Sequence, residues 1–257
     1  MDIATIIGLI MGFGAVIGGQ VLEGGHVGAL MQPTAALIVM GGTFGATFVA
    51  FPLKDIIQSL KDVRSVLLPP PDNMEQVITD LVSYADLARH NGILSLEKLV
   101  DESIKDKFVA KGMRLLVDGT DPQQFREVMD IELESFEANG KISAEFFESA
   151  GGFAPTIGII GAVLGLIHVM SNLSDSSKLG AGIAVAFVAT IYGLMIANIV
   201  CIPFSTKLKK RLKEQMTIKN MILEGLLDIQ AGQNPRVIKQ KLRGFLPPGK
   251  KLTDTEE

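Results

Sequence analysis

Four stretches of this chain, residues 3–22, 33–53, 150–171 and 180–206, contain no Asp, Glu, Lys or Arg. Each reaches the roughly 20 residues that an α-helix needs to cross a bilayer. Four buried helices of a large soluble core are the competing explanation, but uncharged runs of this length mark membrane spans. No β-rich stretch competes. The expected fold is therefore all-α: an integral membrane protein with four transmembrane helices in a 2+2 arrangement, a helical domain between spans two and three, and a helical C-terminal tail. The first run is not a secretory signal peptide, because Asp2 stands where a basic n-region belongs and the apolar block is too long.

Charge sets the expected topology. The segment between spans one and two has no Lys or Arg, and that between spans three and four has only Lys178. Lys54, Lys61 and Arg64 follow span two, and KLKKRLK (207–213) follows span four. The positive-inside rule then puts both termini in the cytoplasm. The expected division is residues 1–53 as spans one and two with a short periplasmic loop, 54–149 as a cytoplasmic helical domain, 150–206 as spans three and four with a second short loop, and 207–257 as a cytoplasmic tail. Residues 54–149 carry a net charge of −8 and residues 207–257 a net of +6. Solvated surfaces with a basic collar near anionic lipid would account for this. Opposite signs of this size also predict that loop and tail pack together.

The soluble part reads as helical. Asn73 can cap a helix in which Val77, Leu81, Tyr84 and Ala88 share a face, ending at Asn91-Gly92. A second helix is expected over residues 103–117, stopped by DGTDP. There Asp121 is a natural N-cap and Pro122 a natural first-turn residue of a long helix with Phe125, Val128, Met129, Leu133 and Phe136 on one side. Asn234 and Pro235 repeat the device in the tail. Prolines 69–71 and 247–248 mark a linker and a terminal stop.

The spans lack what ion-moving proteins usually carry, an ionisable group at depth. His168 lies near the outer end of span three, where a wetted interfacial role is the simpler reading. Thr156, Thr190 and Asn198 are the other polar candidates, although threonine hydroxyls often bond only their own helix. Small residues are spaced regularly: Ala154, Gly158 and Ala162, then Gly161 and Gly165 in span three; Ala186, Thr190, Gly193 and Ala197 in span four. Such faces permit close helix approach, either within this chain or against another membrane helix. Pro155 and Pro203 fall at the cytoplasmic ends of spans three and four. Each frees a helical carbonyl, which in lipid must face protein or water.

With these residues in place, the chain resembles the MotA-type flagellar stator subunits of the MotA/TolQ/ExbB proton channel family. GGFAPTIGIIGAVLGLI, AFVATIYGLMIANIVCIPF, LARHNGILSLE and EGLLDIQAGQNPRVIKQKL carry the resemblance, in family order and over nearly the whole chain. It implies a stator subunit that forms a ring, thought to be a pentamer, around two MotB-like helices in the bacterial inner membrane. The MotB-like partner supplies the ion-binding aspartate that this chain lacks. Pro155 and Pro203 match family prolines that couple ion passage to torque, and Thr190 matches a threonine facing the ion path. Arg89 and Glu97 match the charged motif that engages the rotor protein FliG. Ala162 stands where sodium-driven, PomA-like members carry threonine, so the implied ion is H+ rather than Na+: a hydroxyl replaces part of a sodium ion's water shell and a methyl does not.

The main rival is an ExbB- or TolQ-like energiser of an outer-membrane system. Such relatives typically have three spans and lack the Arg89/Glu97 motif. A channel acting alone would need buried charge or a pore lined by backbone, and a purely structural scaffold leaves the paired prolines and Thr190 without a role. No nucleophile–base pair, phosphate loop or metal spacing points to an enzyme or a bound cofactor, and nothing points to nucleic acid. Cys201 is the single cysteine, so an internal disulfide is excluded.

Overall fold

A computed structural model describes residues 2–68, 73–102, 104, 106–173 and 176–247. Among the described residues the regular structure is helical throughout. The α-helices are α1 (Ile3–Leu22), α2 (Pro33–Ala50), α3 (Leu53–Leu67), α4 (Met74–Asn91), α5 (Glu97–Glu102), α6 (Lys107–Val117), α7 (Pro122–Ser171), α8 (Ser176–Met195), α9 (Ile202–Gln230) and α10 (Pro235–Arg243). Short 3₁₀ turns occupy Val27–Leu30 and Ile93–Leu96, and a π-helical segment, Ile196–Cys201, joins α8 to α9. Four helical stretches are long and apolar enough to cross a membrane: Ile3–Leu22, Pro33–Ala50, part of Pro122–Ser171 and part of Leu179–Gln230. The all-α, four-span expectation holds.

Local chemistry moves two boundaries. The second apolar run continues to Leu53, but its helix stops at Ala50. Pro52 forces the preceding Phe51 into extended backbone (φ −125°, ψ 141°), and α3 begins afresh. The helix expected over 103–117 starts instead at Lys107. Asp106 accepts hydrogen bonds from the N–H groups of Phe108 (2.8 Å) and Val109 (3.2 Å), a two-donor cap. Ser103 lies outside the described residues, as do prolines 69–71 and Pro248. Asn73 stands at the start of α4, but its side chain makes no capping bond. Asp121 and Asn234 do cap, accepting from Gln123 N–H (2.9 Å) and Arg236 N–H (3.0 Å).

The chain divides into two compact units, Met1–Pro70 with Gly140–Lys210, and Pro71–Asn139 with Arg211–Glu257. In the second unit, loop and tail share one core. Ile78, Leu81, Leu96, Met113, Phe125 and Met129 pack with Met221, Leu226, Ile238 and Leu242. Gly225 lets α9 receive Leu81 and Leu242, since a Cβ there would lie 2.9 Å and 3.3 Å from their methyls. Arg126 and Lys241 both bond Glu224, at 2.5 Å and 2.8 Å, and Lys241 also reaches Asp228 at 3.1 Å. Of these pairs Arg126–Glu224 joins loop to tail, with the cation supplied by the net-acidic loop, while the Lys241 bonds brace α10 on α9 within the tail. Lys219 sits between the Phe108 and Phe136 rings, 4.5 Å from each centroid, where burial pulls its ammonium pKa below the usual lysine value.

In the first unit, α2 packs on α8 through Ala35, Val39, Val188 and Ala189. Tyr192 on α8 donates its hydroxyl to the Leu30 carbonyl and accepts from Gln32 N–H (3.4 Å), tying the turn before α2 to the same helix. A file of edge-on aromatic rings, Phe51–Phe146–Phe147–Phe204, runs through a second cluster with centroids 5.2–5.8 Å apart. α1 buries none of its residues within this chain. Asp2 caps it by accepting from Thr5 N–H (3.2 Å), and Lys207 pairs with Asp2 and donates to Thr5 Oγ1.

Candidate functional site

The seam between α7 and α8 is built from backbone meeting backbone. A Cβ on Gly193 would lie 2.5 Å from the Ala154 carbonyl oxygen and 3.2 Å from Pro155 Cα. One on Gly158 would lie 2.9 Å from the Ala189 carbonyl oxygen and 3.4 Å from Thr190 Cα. Gly165 meets Gly182 and Ala186 in the same way, and Gly161 meets Ala189. The regularly spaced small residues therefore serve packing within this chain. The alternative, that these glycines are reserved for a foreign helix, fails at Gly158, Gly161, Gly165 and Gly193, each already filled by a neighbour from the same unit.

This seam brings Pro155 and Thr190 together. Both flank the Gly158–Gly193 contact, and both remain half-buried. Thr190 Oγ1 donates to the Ala186 carbonyl at 3.3 Å, a long bond to its own helix that leaves the oxygen's lone pairs available. Ala162 is half-buried on α7 beside Gly161, two turns from Pro155. Thr156 and Asn198 are exposed and donate to carbonyls of their own helices, Phe153 at 2.8 Å and Leu194 at 2.9 Å. His168 is exposed.

Pro203 stands apart from Thr190. It is exposed, in the first turn of α9, and lines a cavity of about 400 Å³ with Gly8 and Gly12 of α1, Asn198 and Lys207. Its link to Pro155 runs through Gly151, whose carbonyl is the one Pro155 cannot bond. A Cβ on Gly151 would lie 2.9 Å from Ile202 Cγ1 and 3.3 Å from Cys201 Cβ. Both interruptions thus meet at one level of the α7–α9 contact.

The irregularity at Pro203 is larger than a missing hydrogen bond. Across Ile196–Cys201 the helix widens to π geometry, with Ile202 N–H donating to the carbonyl of Ala197, five residues back. The burial pattern gives the reason. Gly193, Ala197, Cys201 and Ser205 are all buried. At about 100° per residue, three successive steps of four residues would turn a regular helix by about 120° and carry Ser205 off that face. One extra residue in a turn takes up the drift. Sequence reading misses this segment because period-3.6 templates assume it away. The available signal is the run of small residues at a strict interval of four, leading to a proline.

In the second unit, Arg89 lies in the last turn of α4 and Glu97 opens α5, with Gly92 and the 3₁₀ turn between them. Both side chains are exposed. Gly92 has φ +84°, a conformation that favours glycine, and it marks the turn that separates the end of α4 from the 3₁₀ segment leading to Glu97.

Comparison with known proteins agrees with this geometry. Residues 100–221 match the MotA/TolQ/ExbB proton channel family, and residues 6–91 match the motility protein A N-terminal region. The chain is 36% identical to Motility protein A of Bacillus subtilis, over 100% of this chain and 95% of that protein. Its fold superposes on the structure of C. jejuni MotAB with a TM-score of 0.93, at 30% identity and with 100% of both chains covered. It superposes on the flagellar MotAB stator complex from Bacillus subtilis with a TM-score of 0.89, at 36% identity, covering 98% of this chain and 100% of that one. By sequence along its whole length and by fold, the chain belongs to the MotA/TolQ/ExbB proton channel family.

Proposed function

We propose that this chain is a stator subunit of the bacterial flagellar motor, converting ion flow through a channel shared with a MotB-like partner into torque on the rotor protein FliG. The observation that carries the reading is the combination of four spans free of carboxylate with two proline interruptions meeting at one helix contact. A cage of this kind needs an ion-binding acid from elsewhere, and a MotB-like helix would supply it. Several copies, five in this proposal, would surround two such helices in the inner membrane.

In this reading residues 1–53 and 150–206 hold the spans and their short periplasmic loops, while 54–149 and 207–257 are cytoplasmic, as the basic residues flanking spans two and four require. Thr190 would face the ion path, with its second lone pair free for a water or an ion. Pro155 and Pro203 would let α7 and α9 flex where Gly151 meets Ile202, so that a change of partner protonation moves backbone. Ala162 presents a methyl at the position where sodium coupling calls for a hydroxyl, which favours H+. Arg89 and Glu97 would engage the rotor, their charges steering and ordering the contact.

The test is a strain lacking the gene, with filaments counted on the same cells. Paralysed cells with normal filaments, restored by the wild-type gene, are expected. Normal swimming in a host without a second stator would refute the reading and direct attention to ExbB- or TolQ-like energisers.

A further inference from the structure

We infer that Leu94 is the apolar anchor of the rotor contact, the knob around which the Arg89 and Glu97 charges are arranged; this rests on the reading of Arg89 and Glu97 as rotor-facing. Leu94 is 71% exposed, although the other two apolar residues of the Ile93–Leu96 turn are committed to the core: Leu96 is fully buried and Ile93 packs against the same cluster. An isolated exposed leucine needs no explanation. This one is held outward by a turn with little freedom.

Gly92 N–H donates to the Ala88 carbonyl at 2.9 Å, ending α4. The Gly92 carbonyl then accepts from both Ser95 N–H (3.1 Å) and Ser95 Oγ (2.6 Å). Glu97 N–H donates to the Leu94 carbonyl, so the anchor and the carboxylate are fixed to each other through backbone. Leu94 loses little further conformational entropy on binding, which is the condition for an apolar side chain to yield affinity.

The surroundings supply a rim. Arg89 and His90 precede the turn, Glu97 and Lys98 follow it, and all four are exposed. A buried apolar centre ringed by solvent-accessible charge is the anatomy of an energetic hot spot, in which the rim governs encounter and the centre governs dissociation. The matching occupant is a helix of the rotor protein presenting an apolar notch, with an acidic group on the side of Arg89 and a basic group on the side of Glu97. Charge alone would give a contact that orients but slips under load. The leucine supplies grip.

The experiment measures torque per stator unit at high load, in cells carrying Leu94→Ala, Leu94→Met or Arg89→Glu. Stators are counted by fluorescence, and the mass of the purified ring with its MotB-like partner is measured for each variant. We expect Leu94→Ala to lower torque per unit by about half or more, as truncation of a hot-spot residue requires. Leu94→Met should stay near wild type, and ring mass should be unchanged in both. Wild-type torque in Leu94→Ala alongside impaired torque in Arg89→Glu overturns the anchor and leaves the charged contact standing. Wild-type torque in both overturns the rotor reading of this corner, and the anchor with it. Loss of ring mass in Leu94→Ala overturns it differently, by showing that Leu94 faces a second copy of the chain.

Discussion

Replacing Gly193 with alanine should loosen the α7–α8 seam more than any other single methyl added to the spans. The new Cβ would sit 2.5 Å from the Ala154 carbonyl oxygen, where ordinary contact begins at 3.4 Å. The obstacle is backbone on both sides, with the Ala154 carbonyl carbon at 3.1 Å and Pro155 Cα at 3.2 Å. No rotamer change relieves it, so the helices must part by roughly 0.9 Å at the level of Pro155. Overpacking of this kind costs about 1–3 kcal/mol, and a backbone clash belongs in the upper half of that range. For a chain of this size each kcal/mol corresponds to about 2–4 °C, so the purified protein should lose about 5–10 °C of thermal stability. Gly12→Ala is the control. It would meet only the Ile199 side chain, at 2.9 Å, and a side chain can give way. Both variants are compared by the temperature at which the detergent-solubilised protein leaves its size-exclusion peak. Equal losses, or a Gly193→Ala protein as stable as wild type, would show that the seam is not limited by backbone approach.

Three further outcomes are expected. Hydrogen bonds from Lys241 and then Arg126 hold the Glu224 carboxyl below its usual pKa, against burial that raises it. Because the folded state lowers this pKa, its contribution is complete above the unfolded value of about 4.3 and is lost as pH falls through the folded one. Amide protection in α10, corrected for the intrinsic exchange rate at each pH, should therefore fall in acid, and Glu224→Gln should bring that loss to neutral pH at a cost of about 0.5–1 kcal/mol, discounted for partial exposure. Tyr192→Phe removes both bonds to the turn before α2 and should destabilise the solubilised protein by roughly 1 kcal/mol, read as a lowered melting temperature. Swimming speed should follow proton-motive force and ignore external sodium at constant proton-motive force; dependence on sodium would overturn the reading of Ala162.

Much of this molecule is legible in its sequence, because a bilayer permits so few backbone solutions. Absence of charge over about 20 residues leaves little but a helix, and the four spans emerge from that alone. Asp121 and Asn234 act as caps because each is followed by a proline suited to a first helical turn. Legibility fails where a decision depends on three-dimensional proximity. Asn73 precedes α4 with the right side chain, yet its backbone (φ −111°, ψ 16°) is unsuited to capping. Small residues announce close approach but not the partner, and only the fold reveals that Gly158 and Gly193 face each other. Of the candidate site, Arg89 and Glu97 are readable from their motif. Leu94 is hidden between them, because an apolar residue in a helical region is read as core by default.

The widened turn before Pro203 also alters which mutations the fourth span can absorb. Removing a residue from a regular transmembrane helix rotates everything beyond it by about 100° and draws it back by about 1.5 Å, exchanging buried faces for lipid-facing ones. Ile196–Cys201 already holds one residue more than a regular turn requires. Deleting one of the six, Val200 for instance, would collapse the segment to ordinary α-helix and leave Ser205 and Leu208 facing as they do now. The same deletion at Val188, within α8, has no surplus to draw on and should abolish assembly, as size-exclusion of the two deletion proteins would reveal. Length variation among related chains is therefore expected to be tolerated at this one place in the span, where the helix carries slack.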